Sequence, residues 1–227
     1  MTTSPTPKLK LERDGHVAII TIDNPAANTW DDESLPGLKK IVESLNADKS
    51  IYALVVTGEG EKFFSAGADL KMFADGDKGN ARRMAEAFGE AFEALADFRG
   101  VAIAAVNGYA MGGGLEFALA CDIRIVEEQA QLALPEARVG LLPCAGGTQR
   151  LSWLVGEAWA SKMILCGERV NAQTAERIGL AQEVVAKGES LKRAIELAQQ
   201  VAKQSPSSVT ACKKLIRGAR EHAMNPH

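Results

Sequence analysis

Histidine and cysteine are scarce in this chain, at three and four residues. Cys121, Cys144, Cys166 and Cys212 form no C-x-x-C pair, and they lie far in sequence from His16, His222 and His227. Neither a zinc site nor a disulfide framework is signalled. Sparse cysteine fits a soluble protein of a reducing cytoplasm. No apolar run approaches the roughly 18 residues that span a bilayer. The opening MTTSPTPKLK has no apolar core and so does not read as a secretory signal. No long run of like charge occurs, and the formal net charge is -3. Nucleic acid and anionic membrane surfaces are therefore not expected partners. The nucleotide-cradling patterns G-x-G-x-x-G and G-x-x-x-x-G-K-[ST] are also missing.

What is present is enough chain for a sizeable core. The 227 residues are 46% hydrophobic, which suits one large domain or one domain with an appendage. KLKLERDGHVAIITID reads as two strands around Arg13-Asp14-Gly15. Residues 32–46 place Leu35, Leu38, Ile41, Val42 and Leu45 on one helical face. Buried strands are expected at 51–58 and 101–108, helices at 81–98 and 113–120, and a short strand at 123–126. The glycines and prolines of 131–151 read mostly as loop. Helices follow at 157–166, 172–178, 189–204 and about 207–219, the second capped by Asn171 and ended by Gly179. Strands alternating with helices, then helices alone, indicate an α/β core with a helical C-terminal appendage. A strand-strand-helix cadence recurs loosely.

The stretch NGYAMGGGLEFALACDIRI (107–125) carries the strongest chemical signal. Three glycines are costly to order, yet they lead straight into a helix-forming run. The first amides of a helix have no partner inside it, and the macrodipole adds positive character there. With Gly112, Gly113 and Gly114 bare, a ligand oxygen can approach those amides. Glu116, three residues after Gly113, can reach back over the same end. Alone, such a triplet serves equally well for close packing of helix on strand, with Glu116 on the surface. A second loop, EKFFSAGADLKMF (61–73), also follows a buried strand and offers Ser65, Ala66, Gly67 and Ala68 before Asp69. A third, LALPEARVGLLPCAGGTQRL (132–151), supplies Glu136 in an apolar setting. Taken singly, Glu136 suits a structural salt bridge as well as catalysis.

Jointly, FFSAGADL, VNGYAMGGGLEFALACDIRI and LPEARVGLLPCAGGTQRL resemble the enoyl-CoA hydratase/isomerase (crotonase) superfamily, over nearly the whole chain from about residue 9. The resemblance implies a crotonase-like spiral of ββα units with a helical C-terminal region, assembled as a homotrimer or dimer of trimers. It implies an oxyanion hole for an acyl-thioester carbonyl, made by the amides of Ala68 and Gly113. CoA would lie near Ala66, Asp69, Leu70 and Lys71, with Gly112 and Cys144 also lining the substrate site. Glu116 and Glu136 occupy the positions of the hydratase glutamate pair, so the resemblance favours an enoyl-CoA hydratase. In that reading Glu116 is the base toward water and Glu136 the acid toward C2. Neither a metal nor a redox cofactor is expected, since the thioester is itself the electron sink. Two alternatives remain open: an enoyl-CoA isomerase, in which Glu136 shuttles the proton and Glu116 is incidental, and a non-catalytic acyl-CoA-binding or assembly module.

The pattern departs from the family at three places. Cys144 stands where hydratases usually have glycine, so its side chain is expected to narrow the pocket. No histidine is near it in sequence to make it a nucleophile. Ala26 replaces the lysine that often follows the loop proline, leaving phosphate contacts to others such as Lys71. The polar, Pro-containing residues 1–7 read as a disordered tail, and the resemblance divides the rest into a spiral core over 8–155 and a helical region over 156–227 without the usual last helices. Among lesser signals, Asp75, Asp77 and Glu86 have calcium-loop spacing, but Asn80 takes the place of the turn glycine, so no metal is expected. Met72, Phe73, Met84 and Phe88 suit either an acyl pocket or ordinary core. The basic face of CKKLIRGAR is expected to be solvated.

Overall fold

The structure is a computed structural model that describes residues 4–73 and 76–223. Asp75, part of the calcium-like spacing, lies outside the described residues. Strands β1 (Leu9–Asp14) and β2 (Val17–Ile22) form a hairpin, followed by α1 (Ser34–Ala47). Three strand-strand-helix turns come next. The first is β3 (Ala53–Gly58), β4 (Phe63–Ser65) and α2 (Lys78–Ala96). The second is β5 (Val101–Val106), β6 (Tyr109–Met111) and α3 (Gly113–Ala120). The third is β7 (Ile123–Glu127), β8 (Gln131–Ala133) and α4 (Gly147–Leu165). The chain ends with β9 (Val170–Asn171), α5 (Ala172–Arg177), β10 (Glu183–Val185), α6 (Ser190–Ala202) and α7 (Pro206–Ala223).

The first strand of each turn joins a six-stranded sheet, ordered β1-β2-β3-β5-β7-β10, and the second joins a four-stranded sheet, β4-β6-β8-β9. Apart from the β1–β2 hairpin and the β8–β9 pair, all these pairings are parallel. Every residue of β2 and β3 is buried, as expected of parallel strands covered on both faces. On one face, Ala194 and Ala198 of α6 pack on Val55, Ile103 and Ile125. The other face meets the main core with α1, α2 and α3. Although aromatics make only 5% of the chain, several are pooled in that core. Trp30 lies edge-on to Phe117 at 4.8 Å and to Phe92 at 5.5 Å, and Phe64 stacks on Phe117 at 5.7 Å. Met84 and Phe88 are buried in this core, while Met72 and Phe73 are half-buried against it.

Several expectations are corrected. Residues 4–7 are folded rather than disordered, because Thr6 is buried and donates to Glu33 Oε1 at 2.6 Å; residues 1–3 lie outside the described set. The region after residue 155 is mostly helical, but it also supplies β9 to the small sheet and β10 to the large one. The boundary itself falls inside α4, at a break where Gly156 has φ +78°. The stretch 131–151 is not mostly loop: it holds β8, a 3-10 turn over Glu136–Val139 and the first turn of α4. Glycines usually advertise loops, but here Gly146, with φ +87°, is the residue that starts α4.

The basic face of α7 is not simply solvated. Lys213 Nζ donates to Asp122 Oδ2 at 2.7 Å and to the carbonyls of Phe98 and Gly100. Arg217 reaches Asp122 Oδ1 at 3.0 Å and the Ala96 carbonyl. Asp122 therefore clamps α7 to the core from the end of α3. Asp122→Asn is expected to cost about 2–3 kcal/mol in urea unfolding, since it leaves two partly buried cations without their carboxylate. Amide exchange should rise first in residues 206–219.

Candidate active site

The small sheet explains how three distant segments come together. β4 pairs in parallel with β6, and β6 with β8, so their C-terminal ends lie side by side. Just beyond β4 comes Ala66-Gly67-Ala68, beyond β6 Gly112-Gly113, and beyond β8 Leu134-Pro135-Glu136. The segments are stitched across as well. The Gly112 amide donates to Ala133 O at 2.9 Å, and Ala66 N to Ala27 O at 2.9 Å, so those two amides are engaged.

Ala68 is set by a parallel bridge to Trp30. Trp30 N donates to Gly67 O at 2.8 Å and Asp69 N to Trp30 O at 3.0 Å. Backbone groups alternate along an extended segment, so the Ala68 amide points away from Trp30. Gly67 lets this loop press against the start of α3: it has φ +89°, and a Cβ there would sit 2.7 Å from Met111 O and 3.0 Å from Gly113 N. Among the described residues, neither the Ala68 nor the Gly113 amide has a hydrogen-bond acceptor. The glycine run is explained by the same contact. A Cβ at Gly114 would lie 2.1 Å from Ser65 O, and Gly112 has φ +53°. The bare backbone thus serves close packing, the first of the two purposes that the sequence left open, and leaves the Gly113 amide without an acceptor among the described residues.

Glu116 is buried, not on the surface. Its Oε1 accepts from Ala145 N at 2.8 Å and Gly147 N at 2.9 Å, at the N-terminus of α4. Burial pushes its pKa up, while these amides and the charge of Arg150 oppose the rise. Glu136 has the contrasting environment. Both of its carboxylate oxygens are buried and, among the described residues, lack a hydrogen-bond partner. Oε1 faces the backbone of Gly112, 3.2 Å from where a Cβ would be. Burial, and secondarily the Glu116 charge, pushes Glu136 up to about 7. The two carboxylates therefore share a site but not an environment.

Cys144 is exposed at this site. Desolvation of its thiol, with the charges of Glu116 and Glu136, pushes its pKa up to about 12, which disfavours a nucleophilic thiolate. Asp69 is half-buried, and Leu70 and Lys71 are exposed on a 3-10 turn beyond Ala68. A cavity of about 880 Å³ lies elsewhere among the described residues, between α2, α4 and α7.

The sequence model of the enoyl-CoA hydratase/isomerase family matches residues 12–225. This chain belongs to that family. Carnitinyl-CoA dehydratase from Salmonella typhi is 39% identical over 213 residues, covering 94% of this chain and 81% of the relative. Among solved structures, Pseudomonas aeruginosa DspI is 67% identical with a TM-score of 0.96, covering 98% of this chain and 91% of that one. An enoyl-CoA hydratase from Bacillus anthracis is 35% identical with a TM-score of 0.91, covering 94% and 84%. The spiral fold is that of the crotonase superfamily. No helix among the described residues is long and apolar enough to cross a membrane.

Sequence reasoning missed the Ala145 and Gly147 amides and the Trp30 bridge. The first had a readable signal, since Ala145-Gly146-Gly147 lies within the third motif, but reading 131–151 as loop concealed a helix start. The second had none, because Trp30 acts through its backbone.

A carboxyl with a raised native pKa binds protons more tightly folded than unfolded, so its contribution to stability is present below pH 4.5 and lost as pH rises through about 7. Glu136→Gln removes that loss. The variant should be more stable than the parent above pH 8, by roughly 3 kcal/mol, with the difference vanishing near pH 4. Urea unfolding across this range is the check.

Proposed function

We propose that the protein is an enoyl-CoA hydratase, adding water across the 2,3 double bond of a 2-enoyl-CoA thioester. The observation that carries this reading is the convergence of two differently poised carboxylates on the end of the small sheet where two amides lack acceptors. Attack of water at C3 drives electrons onto the thioester oxygen. In this reading the Ala68 and Gly113 amides, with the N-terminus of α3, stabilise that oxyanion, and one such donor is typically worth about 3 kcal/mol.

The environments of the glutamates support a division of labour. Burial raises the pKa of Glu116, but two amide donors and Arg150 oppose that rise, which suits a base that orients and deprotonates water. Glu136 has no donor, and with a pKa near 7 it retains a large protonated share at neutral pH. That suits the acid delivering a proton to C2. Dehydration is the same path reversed, so a dehydratase relative is consistent with the assignment. An isomerase would need only Glu136 and would leave the two-amide cradle of Glu116 without a purpose. CoA is read as lying along Ala66, Asp69, Leu70 and Lys71, with Gly112 and Cys144 lining the acyl end. The reading calls for no metal or redox cofactor. It extends to a homotrimer or dimer of trimers in the cytoplasm.

Crotonyl-CoA should lose its conjugated thioester absorbance when mixed with the protein. Glu116→Gln and Glu136→Gln should each lower kcat by at least about 100-fold, the usual scale for a positioned acid or base, with CoA-ester binding retained. Binding without turnover in the parent would favour the acyl-CoA-binding module. Full activity in Glu116→Gln, with double-bond migration and no hydrated product, would favour the isomerase.

A further inference from the structure

The peptide that holds Glu116 is itself held from behind. Arg150, one turn inside α4, donates from Nη1 to Ala145 O at 2.9 Å and from Nη2 to Glu93 Oε1 of α2 at 2.8 Å. Its guanidinium lies across Gly146, where a Cβ would come within 2.4 Å of Nη1. The Arg150 side chain is only 12% exposed, against 59% for Glu93. Water therefore screens the glutamate more than the arginine, leaving a net positive field directed into the protein. The segment Ala145–Gly147 is thus fixed on its carbonyl side by Arg150, while its amides face Glu116.

We propose that Arg150 is a positioning residue for Glu116, orienting the peptide that cradles this carboxylate and facing it with a fixed positive charge. The inference rests on the hydratase reading for its kinetic consequence, but not for its structural one. The charged and titratable groups around Glu116 are Glu136 from the 3-10 turn, Cys144 from the following loop, Arg150 from α4 and, behind Arg150, Glu93 from α2. Only Arg150 among them favours the ionised form of Glu116. Removing it should raise the pH at which Glu116 ionises, and with it the acid limb of the rate profile.

The test compares Arg150→Gln and Arg150→Lys with the parent in the pH dependence of crotonyl-CoA hydration. In parallel, Glu116 is titrated by NMR with carboxyl-¹³C glutamate in a Glu136→Gln background. Arg150→Gln should move both the acid limb and the Glu116 midpoint up by about one pH unit, a modest value for loss of a neighbouring opposite charge. That corresponds to about tenfold less activity on the acid side, with KM little changed. Arg150→Lys keeps the charge and should restore most of the midpoint while lowering kcat. A folded Arg150→Gln with the parent's midpoint overturns the proposal, as does a Lys variant that shifts as far as Gln. If the parent does not hydrate crotonyl-CoA, the hydratase reading fails, and the NMR midpoint alone decides the role of Arg150. If Arg150→Gln does not fold, Glu93→Gln replaces it. That change leaves the arginine charge uncompensated and must lower the Glu116 midpoint; no change, or a rise, counts against the proposal.

Discussion

The site depends on the register of a very small parallel sheet. β4, β6 and β8 are three residues each, too short to be stable alone. They are held because each follows a buried strand of the large sheet and precedes a helix or 3-10 turn. Their pairing brings the loops after residues 65, 111 and 133 side by side. A shift in this pairing would separate the Ala68 and Gly113 amides and carry Glu136 away from Glu116. At Gly67 and Gly114, as at Gly58 and Gly108, backbone meets backbone with no room for a Cβ.

A second consequence is electrostatic. Two carboxylates in one apolar site would ordinarily compete for a proton. Here the fold breaks the tie. Glu116 is given the amides at the start of α4, a place that favours negative charge, whereas Glu136 is given no donor. The resulting asymmetry has a cost, because a carboxylate buried without partners destabilises the fold once it ionises. Such a cost is expected where a group is kept for chemistry rather than for stability.

Much of this was legible in the sequence. α1 and α2 follow from apolar periodicity, and the long strands and α3 from apolar runs bounded by glycine or turn residues. The glycine run, with Glu116 one turn later, marked the start of α3. The small sheet was not legible, because three-residue strands carry no periodic signal. Nor was the start of α4, since its glycines read as loop although Gly146 initiates the helix. Lys213 and Arg217 looked like a solvated basic face. Nothing local shows that Asp122, some ninety residues earlier, waits beneath them. Long-range pairing was the missing information in each case.

The central claim is that the Ala68 and Gly113 amides converge on the carbonyl oxygen of a bound thioester. The most direct test is the carbonyl stretch of a ¹³C-labelled enoyl-CoA thioester, measured by difference Raman spectroscopy free and bound to the slow Glu116→Gln variant. Two amide donors should polarise the carbonyl and move the stretch to lower frequency on binding. A bound thioester whose carbonyl keeps its solution frequency would contradict the account.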